Sequence, residues 1–153
     1  MSNDDALPFS LAVEVRDACL CLHAQRAARA LARRFDEELR PVGLTSGQFS
    51  LLMALNRPSP TTMRRVAALL AMDRTTLTAN LKPLERRGLV AIAPDPADRR
   101  SRRLTLTMAG RDTLAAAVPI WRRVHGAIEG RLADPDALRA GLVALGGSAT
   151  AGE

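Results

Sequence analysis

The sequence predicts a mainly α-helical fold with one small β-hairpin, and three observations carry that expectation. Hydrophobic residues make up 47% of the 153 residues, aromatics only 3%, and tyrosine is absent. The core is therefore aliphatic, built from Leu, Ala and Val, which favours helices over a sandwich. Apolar residues recur at intervals of three and four along most of the chain, and only around residues 89–107 does the period fall to two. The length suits one domain with a sizeable core, or one domain plus an oligomerisation element.

Residues from about 11 to 40 read as one long helix, with Leu11, Val15, Ala18 and Leu22, then Ala28, Leu31, Phe35 and Leu39, at helical spacing. Ser10 is the expected N-cap after Pro8, and Pro41 and Gly43 stop the helix. In "TSGQ" (45–48) Thr45 can cap the backbone while Gln48 reaches back, a capping box that opens a second helix over "FSLLMALN". That helix runs out at "RPSP" (57–60), and a third, short helix covers about 62 to 70 with Thr62 as its cap. After a tight break at "AMD", Asp73 caps a fourth helix, 74–88, with Leu77, Leu81 and Leu84 as its apolar stripe. Pro83 is expected to kink it or loosen its final part, and Gly88 to end it. "LVAIA" (89–93) and "RLTLT" (103–107) read as strands joined by the turn "PDPADRRS", with Leu104 and Leu106 on one face. A long helix resumes over about 108 to 131 through Leu114, Val118, Trp121, Val124 and Ile128, with a bend expected at Pro119. The last helix, 134–147, has Asp134 as cap, Pro135 in its first turn and Gly146 at its close.

Helix, short helix, tight turn, helix and two-stranded hairpin, in that order, make a winged helix-turn-helix core. Charge points the same way. Residues 57–103 hold eleven of the 22 Lys and Arg against four acids, a net +7, whereas the whole chain carries +6. A one-signed block flanked by balanced segments suits a polyanion. In this arrangement the second helix of the pair enters the DNA major groove N-terminal end first. That end is "DRTTLT": Arg74 suits guanine, Thr75 and Thr76 offer methyl groups to thymine, and Asn80 suits adenine if it reaches. Thr78 and Lys82 lie off the buried stripe with them. Arg64 and Arg65 open the preceding helix, where a phosphate is favoured. Arg99, Arg100, Arg102 and Arg103 at the hairpin tip suit a narrow minor groove or the phosphates beside it.

"GLTSGQFSLL", "MDRTTLTANLKPLERRGLV" and "DPADRRSRRLTLTMAG" resemble the MarR family of bacterial transcriptional regulators, over about residues 11 to 147. The resemblance implies a homodimer whose first and last helices intertwine, binding a pseudo-palindromic operator, repressing, and released by a small molecule or oxidant. It places recognition-helix contacts on Arg74, Thr75, Thr76 and Thr78, and the wing arginine on Arg100, with Asp98 orienting the wing through an ion pair. Arg102 and Arg103 go beyond the family's usual pattern. The expected organisation is a flexible N-terminal arm (1–10), a dimerisation helix (11–44), a winged helix-turn-helix DNA-binding lobe (45–107), C-terminal dimerisation helices (108–147) and a disordered tail (148–153).

"CLCLH" (19–23) is the other stretch able to carry chemistry. On a helix Cys19 and His23 share a face and Cys21 points away, so a disulfide between the two cysteines is disfavoured. Both can be small buried hydrophobes. The resemblance also allows oxidant sensing through Cys21, although the tyrosines that support such thiols are missing. Cys19, His23 and His125 are too few for a closed metal site without carboxylates or a second subunit, so neither metal nor cofactor is expected. A small-molecule effector, such as an aromatic acid, would sit between the dimer helices and the DNA-binding lobe. His23, Gln48, Met53 and Trp121 are candidate walls, with Arg16 or Arg26 for a carboxylate. No phosphate loop, metalloprotease spacing or nucleophile elbow occurs, so the chain is not expected to be an enzyme. An architectural DNA binder is the remaining alternative. No membrane-length apolar run or signal-like start is seen, and a cytoplasmic location is expected.

Overall fold

The computed structural model describes residues 7–147. Its elements run α1 (Phe9–Ala18), α2 (Leu20–Leu39), a 3₁₀ turn (Arg40–Val42), α3 (Ser46–Ala54), β1 (Thr61–Thr62), α4 (Met63–Leu69), α5 (Arg74–Arg86), β2 (Val90–Pro94), β3 (Arg102–Leu106), α6 (Met108–Glu129) and α7 (Pro135–Gly146). The mainly helical architecture with a small antiparallel sheet is the one expected. Most of the expected arm (1–10) and the whole expected tail (148–153) lie outside the described residues, while Phe9 and Ser10 already belong to α1.

Oxygen-bearing side chains cap five of the helices. Thr45 Oγ1 accepts the Gln48 amide and the Gln48 side chain accepts the Thr45 amide, the reciprocal box read from "TSGQ". Thr62, Asp73, Thr107 and Asp134 accept the amides of Arg65, Thr76, Gly110 and Ala137.

Several local expectations are corrected. The long helix over 11–40 is two helices, because Cys19 is extended (φ −71°, ψ 109°) and caps α2 with its sulfur, 3.4 Å from the Leu22 amide. Pro8, not Ser10, occupies the N-cap of α1. The helix carrying Pro83 stays continuous to Arg86, and its last turn is closed by the Arg87 amide on the Pro83 carbonyl. Likewise, α6 runs unbroken through Pro119. The last helix does close at Gly146, with Gly147 at φ +83° as the residue that follows it. The hairpin also gains a third strand: Thr61 and Thr62 pair with Leu104 and Arg103, giving the order β1-β3-β2.

The aliphatic core lies beneath the sheet and among α3, α4, α5 and the first half of α6. Leu51, Leu52, Leu77, Leu81, Leu84, Leu104 and Leu106 are its most deeply buried leucines, with Leu39 entering from the end of α2. The register Val90↔Leu106 and Ile92↔Leu104 puts the alternate residues of both strands on that core. Gly110 makes the junction with α6 possible, since a Cβ there would lie 2.2 Å from the Leu89 carbonyl oxygen. By contrast α1 and α7 bury no residue, and Phe9, Leu138, Leu142, Val143 and Leu145 stay exposed. Among the described residues no helix is long and apolar enough to cross a membrane.

Candidate nucleic-acid interface

The exposed helix of the helix-turn-helix is set by the turn before it. Ala71 adopts a left-handed conformation (φ +50°), unusual for a residue with a Cβ, and reverses the chain between α4 and α5. Asp73 then fixes the first turn of α5. One carboxylate oxygen accepts the Thr76 amide (2.8 Å) and the other the Thr76 hydroxyl (2.7 Å). Those hydrogen bonds, the amide foremost, hold the Asp73 carboxyl below its ordinary pKa.

The threonines of "DRTTLT" therefore differ. The Thr76 hydroxyl is committed to the cap, and Thr78 donates to the Arg74 carbonyl (2.8 Å). Arg74, Thr75, Thr78, Ala79 and Lys82 line one shallow groove of about 400 Å³ along the helix. Asn80 donates to the Met72 sulfur (3.6 Å), which ties it back to the turn. Arg64 and Arg65 are exposed at the start of α4, as expected.

In the wing, the ion pair joins residues other than those expected. Asp98 accepts the Arg100 backbone amide (3.0 Å) rather than its guanidinium, which closes the turn at the tip. The pair is Arg103 Nε with Asp95 Oδ1, at 3.2 Å. Asp95 is buried, and its carboxyl is held below its ordinary pKa, first by the Ala97 amide and then by Arg103. Arg99, Arg100 and Arg102 are exposed at the tip, with no acid within ion-pair distance among the described residues. Arg87 acts elsewhere: it donates to the Gly43 carbonyl (2.7 Å) and clamps the end of the 3₁₀ turn to α5.

A second feature is a cavity of about 790 Å³ between α3, the end of α4 and α6. Of the candidate walls, Met53 and Trp121 line it. Gln48 is spent on its capping box, and His23, Arg16 and Arg26 are not among the lining residues. Arg16 pairs with its neighbour Asp17 (2.6 Å). The cations at the cavity are instead Arg111 and Arg122, with Phe49, Leu69, Leu70, Leu114 and Val118 as apolar walls. Arg111 was visible in the sequence as a charge continuing the stripe of Leu114, Val118 and Trp121. Trp121 is stacked between Phe49 (centroids 6.3 Å) and His125 (4.7 Å).

The break at Cys19 separates the residues of "CLCLH". Cys19 is half-buried and Cys21 exposed, with the Gln25 amide 3.3 Å from the Cys21 sulfur. His23 Nδ1 lies 2.8 Å from the Cys19 carbonyl oxygen and so meets the backbone, not a thiol. Among the described residues no three His, Cys, Asp or Glu side chains cluster as metal ligands would.

Comparison with known proteins adds an independent line. Residues 42–101 match the model of the MarR family. The transcriptional activatory protein BadR of Rhodopseudomonas palustris is 39% identical over 92 residues, 58% of this chain and 53% of BadR. The transcriptional repressor NicR of Pseudomonas putida is 33% identical over 90 residues, 59% of this chain and 57% of NicR. These matches thus span little more than half the length of either curated relative. A crystal structure of the M. tuberculosis transcriptional regulator MosR in complex with DNA superposes with a TM-score of 0.78 at 40% identity, over 84% of this chain and 93% of MosR.

Proposed function

The chain belongs to the MarR family of DNA-binding transcriptional regulators, and from that premise we propose that it binds a pseudo-palindromic operator as a homodimer, represses there, and lets go when a small molecule enters the α6 cavity. It is a regulator and not an enzyme, as its relatives are. The observation that carries the reading is the pairing of a capped, exposed α5 with an arginine wing. Arg74, Thr75, Thr78 and Lys82 form one groove-facing set, and Arg99, Arg100 and Arg102 are free for the backbone or the minor groove. Arg64 and Arg65 supply phosphate contacts from α4, while Thr76 and Asp98 hold these surfaces in shape.

The homodimer is supported by the two helices that bury nothing. Leu138, Leu142 and Leu145 recur at i, i+4 and i+7 on α7, and Phe9 and Val15 are exposed on α1. A second copy of the chain is the partner that would cover them. Two α5 helices would then meet major grooves about one turn, roughly 34–36 Å, apart.

Release follows from where the cavity lies. Its walls include Leu69 and Leu70, directly before the strained turn at Ala71 that sets α5. A flat apolar anion, such as an aromatic acid, would stack at Trp121 and pair with Arg111 or Arg122. It would favour a dimer with the wrong α5 spacing, and operator affinity would fall by its differential affinity for that state.

DNase I footprinting on the DNA upstream of the chain's own coding sequence tests the reading. Two protected half-sites related by two-fold symmetry are expected. Uniform protection at high protein concentration would point to an architectural binder, and no protection of any DNA would overturn the reading.

A further inference from the structure

The wing carries four arginines in five positions, yet the structure does not treat them alike. Arg103 sits opposite Ala93 on β2 and Thr62 on β1, and its Nε lies 3.2 Å from Asp95 Oδ1. That same oxygen accepts the Ala97 amide (2.9 Å), and the Asp95 amide donates to the Ser101 carbonyl (3.0 Å). Asp95 therefore ties together both ends of the loop, and it is only 9% exposed. Asp98 organises a smaller inner turn, its carboxylate accepting the Arg100 amide and its carbonyl the Ser101 amide, with no arginine side chain involved.

We propose that Asp95 is the positioning residue of the wing, closing its loop and neutralising Arg103, so that each wing offers DNA the charges of Arg99, Arg100 and Arg102 only. This rests on the DNA-binding reading above. The pair is half-exposed on the arginine side, where the side chain is 43% accessible, so its direct contribution to stability is small. Its consequence is in charge count. Binding to duplex DNA weakens with salt in proportion to the phosphates a protein neutralises, with a log–log slope of about −0.9 per phosphate. An arginine already paired with a carboxylate adds little to that slope. Removing the carboxylate releases a fourth charge beside the other three.

The test is the salt dependence of binding by the full chain to a short, fluorescein-labelled, random-sequence duplex, read by anisotropy across a series of KCl concentrations. Asp95→Asn is expected to steepen the slope, by about 0.9 for each wing engaged. Arg103→Gln alone should leave the slope at the wild-type value, and in the Asp95→Asn background it should erase the gain. Arg100→Gln should make the slope shallower by about 0.9 for each wing engaged. A merely structural role for Asp95 would weaken binding without steepening the slope, so an unchanged or shallower slope in a folded Asp95→Asn overturns the proposal. If Asp95→Asn fails to unfold cooperatively, Arg103→Gln decides alone: an unchanged slope supports the proposal, and a loss matching Arg100→Gln overturns it. Wild-type protein that binds no DNA would remove the functional reading itself, a result distinct from either of these.

Discussion

Ala71 and Asp73 show how two residues aim a helix. A left-handed alanine costs roughly 1–2 kcal/mol relative to the right-handed region. Glycine removes that cost but adds backbone entropy of about 0.5–1 kcal/mol. Ala71→Gly is therefore expected to stabilise the protein by up to about 1 kcal/mol in urea denaturation, and a β-branched residue there to destabilise it. Asp73 carries a pH signature, since its carboxyl is held below the ordinary value in the fold. Such a group contributes stability above its unfolded pKa, about 3.9, and loses it as pH falls through the lower folded value. The stability gap between wild type and Asp73→Ala should be full at neutral pH and close on acidification below about pH 4; a gap that widens would contradict the cap's role. Asp73 was legible in the sequence because N-capping is local, whereas the left-handed Ala71 was marked only as a break. The Asp95–Arg103 pair was not legible, because two acids and four arginines lie within nine positions and only the fold selects among them.

At the scale of elements, the helix-turn-helix and both hairpin strands were readable from period and punctuation. The misses have physical reasons. Apolar spacing runs straight through Cys19, so nothing in the pattern marks the break between α1 and α2. Two residues, Thr61 and Thr62, are too few to show a period, and β1 exists only because β3 offers it an edge. Pro83 and Pro119 stay within their helices, where packing outweighs one lost hydrogen bond in each. The exit from the sheet is more tightly specified than the motif suggested. Thr107 Oγ1 donates to the Gly88 carbonyl (2.6 Å) and accepts the Gly110 amide (3.0 Å), which draws the start of α6 against Leu89. A methyl at Gly110 would meet the Leu89 oxygen at 2.2 Å and Leu106 Cδ1 at 2.7 Å. Gly110→Ala should therefore cost about 1–3 kcal/mol or more, read as a lower denaturation midpoint; wild-type stability would contradict this close approach.

For the whole molecule, the lobe that would meet DNA carries the core with the end of α2 and the first half of α6, while α1 and α7 bury no residue of their own. That division makes the assembly separable from the fold. Leu142→Asp on α7 should convert a dimer to a monomer in sedimentation velocity while leaving helicity largely intact; a variant that stays dimeric would move the interface elsewhere. The cavity is separable too. Trp121 is the one tryptophan in a chain without tyrosine, so its fluorescence reports directly on the cavity wall. Arg111, a charge continuing an apolar stripe, went unread in the sequence, whereas the capping box of Gln48 was read there and occupies the side chain that was also a candidate wall.

Whether α5 reads sequence is decided by anisotropy of the full chain on DNA from upstream of its own coding sequence, against a scrambled duplex, over a range of salt. The native sequence should be preferred by about 10³ or more, with affinity falling steeply as salt rises, and Arg74→Ala should lose most of that preference. Equal affinity for both duplexes, with Arg74→Ala no different from wild type, would contradict a sequence-reading α5.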